Sequence, residues 1–98
     1  MTPRFSVRTV PAFDRLARRL ADQQPEFARL LAQAIEILEA DPHNAGRAHN
    51  ILKLKGVAVG EGQYRLRLGR FRFRYDTVGR GVMLLYCGLR REDTYRDR

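Results

Sequence analysis

Residues 64–75 read Tyr-Arg-Leu-Arg-Leu-Gly-Arg-Phe-Arg-Phe-Arg-Tyr. Apolar and cationic residues alternate with period two on both sides of a Gly-Arg dipeptide, the pattern of two half-buried strands. Gly at the first central position of a two-residue loop suits a type II′ hairpin turn. With Gly69 and Arg70 as that turn, Leu68 faces Phe71, Arg67 faces Arg72, Leu66 faces Phe73 and Arg65 faces Arg74. One face is then apolar: Tyr64, Leu66, Leu68, Phe71, Phe73 and Tyr75. The other carries four arginines in two cross-strand rows. Such a hairpin constrains the whole chain, which must supply a cover for the apolar face and some reason for the charged one.

Like charges directly opposite each other cost a hairpin on the order of 0.2–1 kcal/mol per pair. No carboxylate lies between Gly62 and Tyr75 to neutralise them. A solvated edge hairpin would carry the arginines for solubility alone. The preferred reading is that an external anion, phosphate, supplies the missing charge. The planar guanidinium binds phosphate through two parallel hydrogen bonds and keeps its proton.

The remaining elements follow from periodicity. Phe5, Val7 and Thr9 alternate with Ser6 and Arg8 as a short first strand. Thr9 is a candidate N-cap, and Pro11 sits where a first helical turn tolerates proline. Phe13, Leu16, Ala17 and Leu20 give an amphipathic helix from about Val10 to about Gln23. Gln24-Pro25 breaks it. A second helix follows, with Phe27, Leu30, Leu31, Ala34, Ile35 and Leu38 as its stripe, ending at Asp41-Pro42. The tight connection suggests an αα-hairpin whose stripes cover the apolar face of the later strands. Residues 43–62 are irregular, with a short extended piece near Ile51–Leu54 and then a loop rich in glycine. Val78-Gly79-Arg80-Gly81 is a turn. Val82–Cys87 is apolar on both faces, as expected of a central strand. The tail after Gly88 is charged, carries one aromatic and reads as solvated.

These elements define a single domain over residues 1–98 of the α+β class. An antiparallel-dominated sheet of about four strands is expected, with the N-terminal helix pair packed on one face. Apolar content of 44% is enough for one modest core. A net charge of +8 favours an anionic partner. The charge is concentrated: from Arg47 to Tyr75 there are eight Lys or Arg and one acid, Glu61. Cys87 is the sole cysteine, which excludes an internal disulfide, and its apolar surroundings suit an inert buried thiol. His43 and His49 have no carboxylate or cysteine at ligand spacing, so no metal or other cofactor is expected. The first twenty residues are broken by charges, and no stretch has the roughly 20 apolar residues that span a bilayer. A soluble cytoplasmic protein without a membrane partner is the expectation.

The residues offer little conventional catalysis. There is no Walker loop, Gly-x-Ser-x-Gly or Cys-x-x-Cys. The acids read as scattered over helix surfaces and the tail. One reaction suits such a chain: cleavage of RNA by its own 2′-hydroxyl. The protein then has only to orient the phosphate, stabilise the added charge and manage protons.

The chain also resembles a known family. Leu52-Lys53-Leu54-Lys55-Gly56, the run from Tyr64 to Tyr75, Gly88-Leu89-Arg90 and the closing Thr94-Tyr95-Arg96 together look like the RelE/ParE toxin superfamily of bacterial toxin–antitoxin modules. The element order agrees over nearly the whole chain. The resemblance implies a small microbial-RNase-like α+β domain and an acidic antitoxin encoded in the same operon. For the RelE branch it implies ribosome-dependent endoribonuclease action on mRNA in the A site, without a metal. By position, Arg65, Arg67, Arg72, Arg90 and Tyr95 match the catalytic set, with Tyr95 the tyrosine that stacks on the mRNA base. Lys53, Lys55, Arg70 and Arg74 are the further expected RNA contacts. Arg65 and Arg67 stand where relatives often carry lysine, and Leu89 stands where they often carry histidine. An arginine does not give up its proton, so neither Arg65 nor Arg67 is a general base. Gyrase inhibition of the ParE type and a catalytically inactive basic nucleic-acid-binding domain are the alternatives.

Overall fold

A computed structural model describes residues 4–90 of the chain. The elements in chain order are β1 (Ser6–Thr9), α1 (Pro11–Gln23), α2 (Phe27–Ala40), β2 (Ile51–Lys53), β3 (Tyr64–Leu68), β4 (Phe71–Val78) and β5 (Gly81–Leu89). They form an α+β domain in which one five-stranded sheet has the order β1-β5-β4-β3-β2. The fifth strand is the short extended piece at Ile51. All pairings are antiparallel except β1 with β5, which run parallel. A parallel neighbour needs a crossover, and the two helices together with the later strands supply it.

The β3–β4 hairpin has the expected register, residue for residue, from Leu68↔Phe71 out to Tyr64↔Tyr75. Gly69 takes φ +58°, whereas Arg70 is not among the residues with positive φ, as a type II′ turn requires. Gly79 does the same for the β4–β5 turn, with φ +57° and Val78 paired to Gly81.

The apolar faces meet as their patterns demand. Phe13 and Leu20 of α1 and Phe27, Leu30, Ala34 and Leu38 of α2 are buried against Tyr64, Leu66, Phe71, Phe73, Tyr75, Val82, Leu84 and Cys87. α1 lies over β5, and the helices touch each other less than they touch the sheet. Phe27 joins α2 to the hairpin, edge-on to Phe71 at 5.1 Å and stacked on Phe73 at 6.2 Å. Full burial of such rings contributes roughly 1.5–3 kcal/mol each.

Two local expectations change. Val10, not Thr9, is the N-cap of α1 and makes no side-chain capping bond. The Thr9 hydroxyl instead donates to Asp14 Oδ1 at 2.7 Å. The acids are not all on helix surfaces either. Asp76 on β4 is only 3% exposed and accepts hydrogen bonds from the backbone N–H groups of Gly60, Gly62 and Gln63 at 2.7, 3.2 and 2.9 Å. It pins the 54–63 loop beside the hairpin. Asp41 does the same for the turn after α2, accepting from Ala45 N–H and Gly46 N–H at 2.7 and 2.9 Å. The Tyr75 hydroxyl, buried beneath the sheet, donates to the Pro42 carbonyl at 2.6 Å and ties that turn to the core.

Candidate nucleic-acid interface

The helices cover one face of the sheet, so the alternation of β3 and β4 leaves Arg65, Arg67, Arg72 and Arg74 together on the other. Each stands in a like-charged cross-strand pair, Arg65 with Arg74 and Arg67 with Arg72. Desolvation lowers the Arg65 pKa first, and the positive charges of Arg67, Arg72, Arg90 and Arg74 lower it further. Five guanidinium groups therefore share one field. Arg90 enters it by a backbone bond, its N–H donating to the Arg70 carbonyl at 2.6 Å just beyond the end of β5.

The five are not equivalent. Arg74 is held internally, donating from Nε to the Gly62 carbonyl and from a terminal nitrogen to the Glu61 carbonyl, both at 3.0 Å. Arg65 and Arg67 have Nε atoms shielded from solvent and without a hydrogen-bond partner among the described residues. A buried donor left unmade costs about 1–3 kcal/mol.

The other expected RNA contacts lie elsewhere. Arg70, in the turn, donates to Gln24 Oε1 and forms an ion pair with Glu26 at 2.9 Å, clasping the linker between α1 and α2. Lys53 pairs with Tyr64, which puts it on the helix-bearing face with its Nζ 5.8 Å from the Tyr64 ring centre. Lys55 is exposed in the bend after β2. Tyr95 lies outside the described residues.

One aromatic on the arginine face was not foreseen from the sequence. Val82–Cys87 reads as a plain apolar run. The β4–β5 register shifts between Arg74, which pairs with Tyr86, and Tyr75, which pairs with Leu84. Leu85 is the extra residue of a β-bulge, and such bulges redirect the side chains beyond them. The bulge turns Tyr86 out onto the arginine face, 39% exposed, and returns Cys87 to the core. Burial pushes the Cys87 thiol up to about 12, so it is an inert core group. Tyr86 leans over Gly88, the partner of Arg72: a Cβ built there would overlap its hydroxyl and lie 2.9 Å from its Cζ. Leu54, Glu61, Arg65, Arg72, Arg74, Leu85 and Tyr86 enclose an open concavity of about 500 Å³.

No group of three or more His, Cys, Asp or Glu residues is placed to hold a metal among the described residues. No described helix is long and apolar enough to cross a membrane.

Two helices on one face of an open, mostly antiparallel sheet, with the arginines of its hairpin on the other, define a RelE-like fold. The chain is similar to a chain of the archaeal RelE–RelB complex of Pyrococcus horikoshii OT3, with a TM-score of 0.68 and 21% identity, covering 91% of this chain and 98% of that one. No protein-family model and no curated protein matches it.

Proposed function

We propose that the whole chain, as one domain, is the toxin of a type II toxin–antitoxin module. In this reading it is an endoribonuclease that cuts mRNA in the ribosomal A site and so inhibits translation. The observation that carries the reading is the row of arginines on the helix-free face of the hairpin, in which the Nε donors of Arg65 and Arg67 are shielded and have no hydrogen-bond partner among the described residues. The similarity in fold to a chain of a RelE–RelB complex supports it.

The substrate brings its own nucleophile. Its 2′-hydroxyl attacks the adjacent phosphorus, the P–O5′ bond breaks, and a 2′,3′-cyclic phosphate is left. Arg65, Arg67, Arg72 and Arg90 hold the phosphate and offset the charge that builds on its oxygens, the place a metal ion takes in many other nucleases. Tyr95 stacks on a base and positions the 2′-hydroxyl. Proton transfer falls to Tyr95 or to the ribosome, because arginine does not act as a base. With a net charge of +8, the chain suits an acidic antitoxin encoded beside it. It acts in the cytoplasm, where ribosomes are.

A translation extract programmed with a defined mRNA and read by primer extension tests this. Wild type is expected to produce discrete cuts within codons of translated mRNA, and Arg72→Ala to abolish them. Intact mRNA with poisoned DNA supercoiling would transfer the assignment to gyrase inhibition. Neither effect would leave a basic binding domain.

A further inference from the structure

The arginines explain where a phosphate sits, but not the concavity beside them. Leu54 and Leu85 give it apolar walls, Tyr86 presents a ring at its edge, and Glu61 is its one acid. A phosphate-only surface gains nothing from an exposed phenol or from an acid on its rim. A nucleobase accounts for both. Bases stack on aromatic side chains, and single strands are read by their Watson–Crick edges. The ring is backed by Gly88, where any side chain would collide with it, so Tyr86 is supported from beneath. Arg74 fixes the height of the rim by holding the Glu61 and Gly62 carbonyls, and Asp76 anchors the same loop from inside. A carboxylate only accepts hydrogen bonds. Guanine is the RNA base with two adjacent donors, N1–H and the N2 amine, on its Watson–Crick edge.

We propose that this concavity is a nucleobase subsite, with Tyr86 as the stacking platform and Glu61 favouring guanine, next to the phosphate held by Arg65 and Arg72. The inference rests on the proposed RNA-binding reading and adds a specificity site to it. The subsite follows from the Leu85 bulge: strict alternation along β5 would place Tyr86 with Val82 and Leu84 on the core face.

The test is equilibrium binding of the full chain to short uridine oligoribonucleotides. Their 2′-hydroxyls are methylated to block cleavage, and they differ at one position: guanine, adenine, cytosine, uracil or an abasic site. The guanine oligonucleotide is expected to bind most tightly, and the abasic one about tenfold or more weaker. Tyr86→Ala should bring the base-bearing oligonucleotides to the abasic level while leaving the salt dependence of binding unchanged, and Tyr86→Phe should keep the wild-type affinities. Gly88→Ala, which pushes the phenol aside, should act like Tyr86→Ala. Glu61→Gln should remove the preference for guanine over adenine but not the stacking gain. Equal affinity for all five oligonucleotides, with normal salt dependence, would overturn the subsite and leave the phosphate reading standing. No binding to any of them would overturn both.

Discussion

Arg65 and Arg74 are cross-strand partners on one face of the hairpin, yet their guanidinium groups are used in opposite ways. Arg74 is taken up by the Gly62 and Glu61 carbonyls, whereas the Nε of Arg65 is shielded without a partner among the described residues. The first builds the rim of a concavity, and the second is the one assigned to the phosphate in the proposed function. One alternating pattern in the sequence thus holds an arginine with internal acceptors beside one whose Nε has none among the described residues.

If the arginine rows exist for a ligand, they cost the free protein stability. Arg67→Gln removes one member of the Arg67–Arg72 pair. It is expected to raise unfolding free energy by roughly 0.2–1 kcal/mol at low salt. The gain should shrink as salt screens the repulsion. Urea melts at low and high ionic strength measure it, and a variant less stable than wild type at low salt would count against the repulsion.

Asp76 carries more of the fold than its exposed neighbours. Asp76→Ala strips acceptors from Gly60, Gly62 and Gln63 at once. A loss of about 2–4 kcal/mol is expected, since hydrogen bonds to a charged group contribute more than neutral ones and buried donors are left unmade. Amide exchange should accelerate in the 54–63 loop. A urea midpoint within error of wild type would remove Asp76 from this role.

Asp41 gives the fold an acid limb. The Gly46 N–H holds its carboxyl below the ordinary value, with help from the Ala45 N–H, against the opposing effect of desolvation. A carboxyl depressed in the folded state stabilises above its unfolded pKa, about 3.9. That contribution disappears as pH falls through the lower folded value. The stability gap between wild type and Asp41→Asn should therefore be constant near neutrality and narrow in acid below about pH 4. Chemical denaturation across that window checks it, and a gap that persists or widens in acid contradicts it.

The hairpin was legible in the sequence because everything that sets it is local. Period-two alternation fixes the faces, and a Gly-Arg pair at the turn fixes the register. Both helices were legible for the same reason, since Phe13, Leu16 and Leu20, then Phe27, Leu30, Ala34 and Leu38, recur at helical spacing. What escaped depends on distant chain. Nothing near Ser6 announces its parallel pairing with Gly81, and nothing near Asp76 announces a loop 13–16 residues earlier that needs its oxygens. The Leu85 bulge is equally silent, because Val82–Cys87 is apolar whichever way it alternates. Of the candidate site, Arg65, Arg67 and Arg72 followed from alternation, Arg90 from family resemblance, and Tyr86 only from the bulge. Lys53 and Arg70 do not join them, because β2 turns Lys53 to the helix side and Glu26 claims Arg70.

Salt titration of RNA affinity shows whether the guanidinium groups of Arg65 and Arg67 meet phosphates. Log K against log salt concentration for an uncleavable oligoribonucleotide falls by about 0.7 for each phosphate that a cation neutralises on a single strand. The double variant Arg65→Gln, Arg67→Gln should therefore lose affinity and show a slope shallower than wild type by about 1.4. A variant that binds with the wild-type slope would mean that these two guanidinium groups do not meet the phosphates, and the arginine face would not be the RNA site.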